Sequence, residues 1–116
     1  MRLYPRTDLI TTYTRRFSNR YTRTAYANDL RSFARFTLNR DWITPALLKR
    51  ITHRHLLDYV GYLMESARTF SIIMRRLSIL ERFLKWAAQQ GYTDQSLVET
   101  LHEAFRKHVR PIHTHA

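Results

Sequence analysis

Arginine recurs every seven residues in the segment 66–91, at Arg68, Arg75 and Arg82. Side chains seven apart lie on one stripe of a helix, because two turns take about seven residues. The stripe is flanked by Ser71, Ser78 and Lys85. Guanidinium groups fork onto phosphate oxygens, so this arrangement is suited to a nucleic-acid backbone.

A solvent-exposed helix face is the alternative interpretation of this stripe. Exposed helices usually alternate acidic and basic residues, because opposite charges three or four residues apart stabilise a helix. The segment 66–91 contains a single acidic residue, Glu81. The stripe is therefore not neutralised by its own helix, which favours an anionic partner.

A second arginine-rich helix is predicted for residues 19–39. Residues 1–40 contain nine Arg against two Asp, which gives this part of the chain a charge of +7. The apolar face of the helix is formed by Tyr26, Leu30, Phe33 and Phe36. Its polar side chains lie mostly off that face, at Arg23, Thr24, Asn28, Arg31 and Arg35.

The two basic helices begin alike, with Asn19-Arg20-Tyr21-Thr22 and Ser66-Ala67-Arg68-Thr69. Each sequence places a capping side chain, an Arg and a Thr at the first turn. Free backbone N–H groups and the positive end of the helix dipole make such a turn a phosphate site. Ordinary helix capping is the alternative explanation.

Apolar spacing and cap residues predict helices over about 7–18, 19–39, 52–65, 66–91 and 94–110, with a brief helix over 44–50. Thr7 and Ser66 are predicted N-caps, and Gly91 is predicted to end the long helix in the left-handed conformation. Gly61 is expected where another helix passes close. Arg110-Pro111 is expected to stop the last helix, so that 111–116 begins a linker.

The long helix 66–91 is predicted to bury one wide apolar face in a helical core. That face consists of Phe70, Ile73, Met74, Leu77, Leu80, Phe83, Leu84, Trp86, Ala87 and Ala88.

Composition predicts one all-α domain, over residues 1–110. The 116 residues are 44% hydrophobic, with only two Gly and three Pro to support hairpins. The 20 Lys and Arg exceed the nine Asp and Glu by 11 charges, and so strong a positive charge indicates a nucleic-acid partner.

No apolar run is long enough to span a bilayer, so we expect no membrane partner and a cytoplasmic protein. The absence of cysteine excludes disulfides and cysteine-ligated zinc. The pairs His53/His55 and His113/His115 offer two metal ligands each, too few for zinc, and are interpreted as surface histidines. We therefore expect neither a metal nor a cofactor.

Three groups of residues over about 8–92 resemble a known family. They are Thr22-x-x-x-Tyr26-x-x-Asp29-Leu30-x-x-Phe33-x-x-Phe36, then Ile51, Thr52, Leu57, Tyr59 and Leu63, and finally Ala67-Arg68-Thr69 with Arg76-Leu77-Ser78-x-Leu80-x-x-Phe83-x-x-Trp86 and Gly91. In this order they resemble the N-terminal core-binding, SAM-like domain of tyrosine recombinases, the phage integrase and Xer group.

The resemblance implies a bundle of four to five helices arranged as two crossed hairpins. The helices 19–39 and 66–91, second and fourth in that bundle, would face the major groove of duplex DNA while a catalytic domain clamps the other side. By position, the contacts on the second helix would be Thr22, Thr24, Asn28 and Arg31, and those on the fourth would be Arg68, Thr69, Ile72, Arg75 and Arg76. We add Arg35 and Arg82 to this set of contacts, because they belong to the basic residues of the same two helices. Ile72 would meet a thymine methyl or belong to the core.

The chemistry of that family needs two arginines, a His-x-x-Arg box and a nucleophilic tyrosine. His53 and His102 are followed at the third position by Leu56 and Phe105, so neither forms the box. The chain is therefore predicted not to be an enzyme by itself, but part of a bacterial or phage-encoded, nucleoid-associated recombinase whose C-terminal domain carries the catalytic residues.

Two other functions remain open from the sequence. One is a stand-alone DNA-binding regulator of recombination, and the other is a basic helical module that binds an acidic protein. The helix 94–110 is expected to present an apolar strip, which either contacts a second protomer on DNA or covers the core of its own domain.

Overall fold

The computed structural model describes residues 3–66 and 69–113, with side chains through Lys107. These residues form six helices and no strand, which confirms the predicted all-α class. The helices are α1 (Leu9–Thr14), α2 (Arg20–Leu38), α3 (Pro45–Leu48), α4 (His53–Ser66), α5 (Phe70–Gln89) and α6 (Gln95–His113).

The core lies between α2, α4 and α5 and is closed by α1 and α6. α2 packs against α1, α4 and α5, while α6 packs against α4 and α5. The largest completely buried side chains include residues from α1 to α5, such as Ile10, Phe33, Leu48, Tyr59, Leu80 and Phe83. α2 and α6 thus lie against the same two central helices and expose separate faces.

Two predicted N-caps are wrong by a few residues. Asp8, not Thr7, caps α1, because its carboxylate accepts hydrogen bonds from the N–H groups of Ile10 and Thr11. Thr69, not Ser66, caps α5 through its Oγ1, and Ser66 is instead the last residue of α4. Each pair offers two good capping side chains, so the direction in which the chain enters the helix decides between them.

α1 ends at Thr14, earlier than the predicted end near residue 18, whereas the ends of α2 and α5 agree with the sequence. Asn19 caps α2, and Asn39 ends it in the left-handed conformation with φ +56°. Gly91 has φ +82°, so a residue without Cβ is favoured at that position. The N–H of the following Tyr92 donates to the carbonyl of Ala87 at 2.9 Å, which closes α5 in a Schellman motif. Asp94 accepts from the N–H of Ser96 at 2.7 Å, and this bond lowers the pKa of its carboxyl.

α6 is longer than predicted. It continues through Pro111 to His113, which a proline in the last turn permits because its φ of about −65° is helical and only one backbone hydrogen bond is lost. Leu97, Val98 and Leu101 are at most 5% exposed. Of the two alternatives for this apolar strip, coverage of the domain's own core is therefore the one that the described side chains support.

Three apolar expectations are also corrected. A Cβ built on Gly61 has nothing within 4 Å, so this glycine is not a site of close helix packing. Phe36 and Phe70, predicted to be buried, are 42% and 38% exposed. Phe36 lies near the end of α2, where its ring stacks on Tyr62 of α4 with centroids 4.5 Å apart.

Candidate nucleic-acid interface

α2 and α5 lie side by side and antiparallel. Tyr26 of α2 contacts Arg82 of α5, and one turn later Asp29 of α2 contacts Arg75, earlier on α5. A shallow surface groove of about 480 Å³ runs between the two helices. Its lining consists of Tyr21, Thr22, Ala25, Tyr26, Arg75, Ser78, Ile79 and Arg82. The structure therefore brings Arg75 and Arg82 of α5 against the first half of α2.

Arg75 is held in the groove by a buried carboxylate. Its Nε lies 3.1 Å from Oδ2 of Asp29, and its Nη2 lies 3.3 Å from Oδ1. The Asp29 side chain is 6% exposed, whereas the Arg75 side chain is 54% exposed. The guanidinium is thus anchored on its inner edge and open to solvent on its outer edge.

Arg82, two turns further along α5, is held by a phenol. Its Nη1 donates to the hydroxyl of Tyr26 at 2.5 Å. The Tyr26 ring in turn packs against Phe17, with centroids 4.7 Å apart, and against Tyr13. Both groove arginines are therefore oriented by side chains of α2.

Arg31 is not the exposed residue that the sequence predicted. It is 8% exposed and lies 3.1 Å from Oδ2 of Asp8, a residue with no exposed surface. Its Nη1 donates to the carbonyl of Asp41 at 2.6 Å, and its guanidinium lies 3.7 Å from the ring centre of Tyr4. Arg31 joins α1, α2 and the loop before α3, so it stabilises the fold rather than offering a free cation.

Of the remaining predicted residues of α2, only Thr22 is part of the groove lining. Thr24 and Asn28 are exposed, and Thr22 lines the groove. Arg35 is half exposed and pairs with Asp41 at 3.0 Å, so its charge is already partly neutralised. Asn28 is the most central of the exposed polar side chains on this helix.

The remaining predicted residues of α5 differ in accessibility. Thr69 is the exposed N-cap. Ile72 and Arg76 are partly buried, and Nε of Arg76 is 3.8 Å from Asp29, too far for a hydrogen bond. That Nε is buried without a hydrogen-bond partner among the described residues. Arg68 lies outside the described residues.

Sequence reasoning did not identify Tyr21, Ala25 and Ile79 as groove residues, nor Asp29 as the acidic anchor. Tyr21 is 84% exposed at its rim, and Ile79 is buried between Arg75 and Arg82. The spacing 22, 26, 29 and 33 places Asp29 on the α2 face that meets α5, a signal that was available in the sequence.

The two helix N-termini predicted as phosphate sites lie at opposite ends of this face, because α2 and α5 are antiparallel. The first turn of α2 is next to Arg82, whereas Thr69 begins α5 at the far end. At 1.5 Å per residue, α5 rises about 20 Å between Thr69 and Arg82. The two termini are therefore too far apart to bind one phosphate group.

The described residues give little support for a metal site, a tyrosine nucleophile or a membrane span. It contains no group of three His, Cys, Asp or Glu side chains that could hold a metal. Burial raises the pKa of the phenols of Tyr13 and Tyr59, the opposite of what a nucleophile requires. None of the described helices has the length and hydropathy required to cross a bilayer.

Comparison with known proteins gives one match. The family model described as the phage integrase N-terminal SAM-like domain matches residues 12–91, from within α1 to the end of α5. No curated protein and no solved structure matched the chain. The match covers more than half of the 116 residues and contains both helices of the groove. This chain therefore belongs to the phage integrase N-terminal SAM-like domain family.

Proposed function

We propose that the domain binds duplex DNA through α2 and α5, as the core-binding part of a site-specific tyrosine recombinase. The observation that carries the proposal is the pair Arg75 and Arg82, each held by an α2 side chain and each open to solvent. Family membership supports a recombinase-associated role in DNA binding. The catalytic residues of the recombinase would come from its C-terminal domain.

We assign contacts with DNA phosphates to Arg75, Arg82 and the hydroxyls of Thr22 and Ser78. They line one groove, and Lys85 is exposed one turn beyond Arg82. Contacts to phosphate fix the register of a protein on DNA without reading its sequence. These four side chains therefore account for affinity and orientation.

Asn28 and Thr24 are assigned to the base edges. Both are exposed on α2, and the major groove is wide enough to admit an α-helix. An asparagine amide can pair with both N6 and N7 of adenine, so Asn28 is the strongest candidate for reading sequence. Arg35 and Thr69 lie at the margins of this face, and Arg31 is left out of the contact set because it is buried.

The test is a titration of the wild-type chain with short duplex DNA over a range of salt concentrations. Binding should weaken as salt rises, with log K falling against log salt by about 0.9 for each phosphate contacted. The double variant Arg75→Ala/Arg82→Ala should make that slope shallower by the contribution of about two phosphate contacts.

Arg106→Ala is the matched control, since Arg106 lies on α6 and is 48% exposed. It should leave the salt slope unchanged. Binding that is insensitive to salt, or that falls equally in the control, would exclude the α2–α5 face as the DNA-binding surface.

A further inference from the structure

Asp29 is an acidic residue in the middle of a face proposed to bind an anion. Its carboxylate is 6% exposed and joins two helices across 46 residues of chain. A negative charge facing DNA phosphates would oppose binding by simple Coulomb repulsion. Its position beneath Arg75 therefore requires an explanation.

The geometry of the pair leaves Arg75 able to bind a second anion. A guanidinium has five N–H groups in one plane, and Asp29 occupies two of them, on Nε and Nη2. The other three lie on the edges directed away from the carboxylate. One guanidinium can therefore contact Asp29 and a phosphate at the same time.

The pair also reduces the cost of ordering Arg75 when DNA binds. A free arginine loses side-chain conformational entropy when it is fixed. Asp29 fixes the side chain already in the folded protein, so less of that cost remains for the binding step. Arg76 lies 3.8 Å from the same carboxylate, so the three charges together remain positive.

We propose that Asp29 is a positioning residue that holds the Arg75 guanidinium ready for a DNA phosphate, so that an acidic side chain strengthens the binding of an acidic ligand. The inference rests on the proposed function of the α2–α5 face.

The variant Asp29→Asn tests this inference. It removes a negative charge and also the group that positions Arg75, and these two changes should alter DNA affinity in opposite directions. Removing one negative charge should tighten DNA binding if charge alone matters. Loss of positioning should instead weaken binding to short duplex DNA about tenfold, the worth of one charge-assisted hydrogen bond, and lower the salt slope by about one phosphate contact. Asp58→Asn is the control, since Asp58 is half exposed in a pair with Arg54 on α4 and its loss should not weaken binding.

A double-mutant cycle separates positioning from a general effect on the fold. In an Arg75→Ala background the positioning effect is absent, so Asp29→Asn should not weaken binding further, and removal of its negative charge should leave the affinity equal or slightly tighter. Binding by Asp29→Asn as tight as wild type, or an equal loss in both backgrounds, would overturn the inference while leaving the proposed function intact. Failure of the wild-type chain to bind duplex DNA would overturn both.

Arg75→Lys gives an independent test that does not depend on the stability of Asp29→Asn. Lysine keeps the charge but lacks the planar fork that contacts two partners at once. The variant should lose as much affinity as Arg75→Ala, with thermal unfolding followed by circular dichroism as the control for folding. Affinity equal to that of wild type would show that charge, and not orientation by Asp29, is what the site requires.

Discussion

Arg75 on α5 and Arg106 on α6 are similarly exposed, at 54% and 48%, but their acidic partners are placed differently. Asp29, the partner of Arg75, is 6% exposed and comes from another helix. Glu103, the partner of Arg106, is 57% exposed and lies three residues away on the same helix. Both ion pairs are short, so distance alone does not distinguish them.

The difference shows how one residue type produces two kinds of surface. In the Arg106–Glu103 pair of α6 both charges face solvent and neutralise each other. Exposed pairs of this kind contribute about 0–1 kcal/mol and present no net field. On the α2–α5 face the carboxylate is buried and only the guanidinium faces outward. The second arrangement displays a positive charge in a fixed position.

The largest expected effect is the loss of stability when α6 is removed. This helix has a structural role, whereas the α2–α5 face is proposed to bind DNA. Deleting residues 94–116 removes the buried side chains of Leu97, Val98 and Leu101, each worth about 1.5–3 kcal/mol. Small domains have only about 5–15 kcal/mol of stability, so the melting temperature should fall sharply or folding should be lost. Thermal unfolding followed by circular dichroism measures this.

Leu101→Ala is the milder form of that experiment, with an expected loss of about 2–5 kcal/mol. A truncated chain that melts like the full chain would show that α6 is dispensable for the core. Contact with a second protomer would then be the better explanation for its apolar side.

The next effect compares two arginines on the α2–α5 side. Arg31→Ala leaves the buried carboxylate of Asp8 without its cation, so stability should fall by about 3 kcal/mol. Arg75→Ala also leaves a buried carboxylate, Asp29, but Arg76 remains 3.8 Å from it, so the loss of stability should be smaller. Urea denaturation of both variants gives the two values, and equal losses would remove the distinction between a structural arginine and an accessible one.

A smaller effect is the change in DNA affinity when Arg75 or Arg106 is replaced. Arg75→Ala should weaken binding by about 1.5–3 kcal/mol and lower the salt slope by about 0.9. Arg106→Ala should change neither quantity, because its charge is matched by Glu103. Fluorescence anisotropy with labelled duplex DNA provides both measurements, and similar losses would mean that the two faces do not differ in function.

The smallest effect is a gain of stability on α4, which supports both faces. Gly61→Ala should stabilise the chain by about 0.5–1 kcal/mol, because alanine has the higher helix propensity and its Cβ meets nothing within 4 Å. DNA affinity should not change. A destabilised variant, measured in the same urea series, would restore the original expectation of close packing at this position.

The sequence determined the features that depend on neighbours along the chain. Asn19 caps the start of α2, Asn39 ends α2, and Gly91 follows the end of α5, as the sequence predicted. Capping and left-handed turns involve residues only a few positions apart, so they can be recognised from local sequence. Amphipathic spacing likewise predicted most of the α5 residues that face the core, although Phe70 is exposed and Ile79, which was not predicted, is buried. Where two capping side chains compete, as at Ser66 and Thr69, local reasoning was insufficient.

Only the tertiary structure decided which arginines are available. Arg31 and Arg75 both lie off the apolar faces of their helices, and nothing in either helix distinguishes them. Asp8 reaches Arg31 from 23 residues away and buries it, whereas Asp29 reaches Arg75 from 46 residues away and leaves half of it exposed. Likewise, the apolar side of α6 was evident in the sequence, but its packing on α4 and α5 was not. Helical periodicity identifies a face to be buried, whereas the partner of that face depends on how the helices assemble.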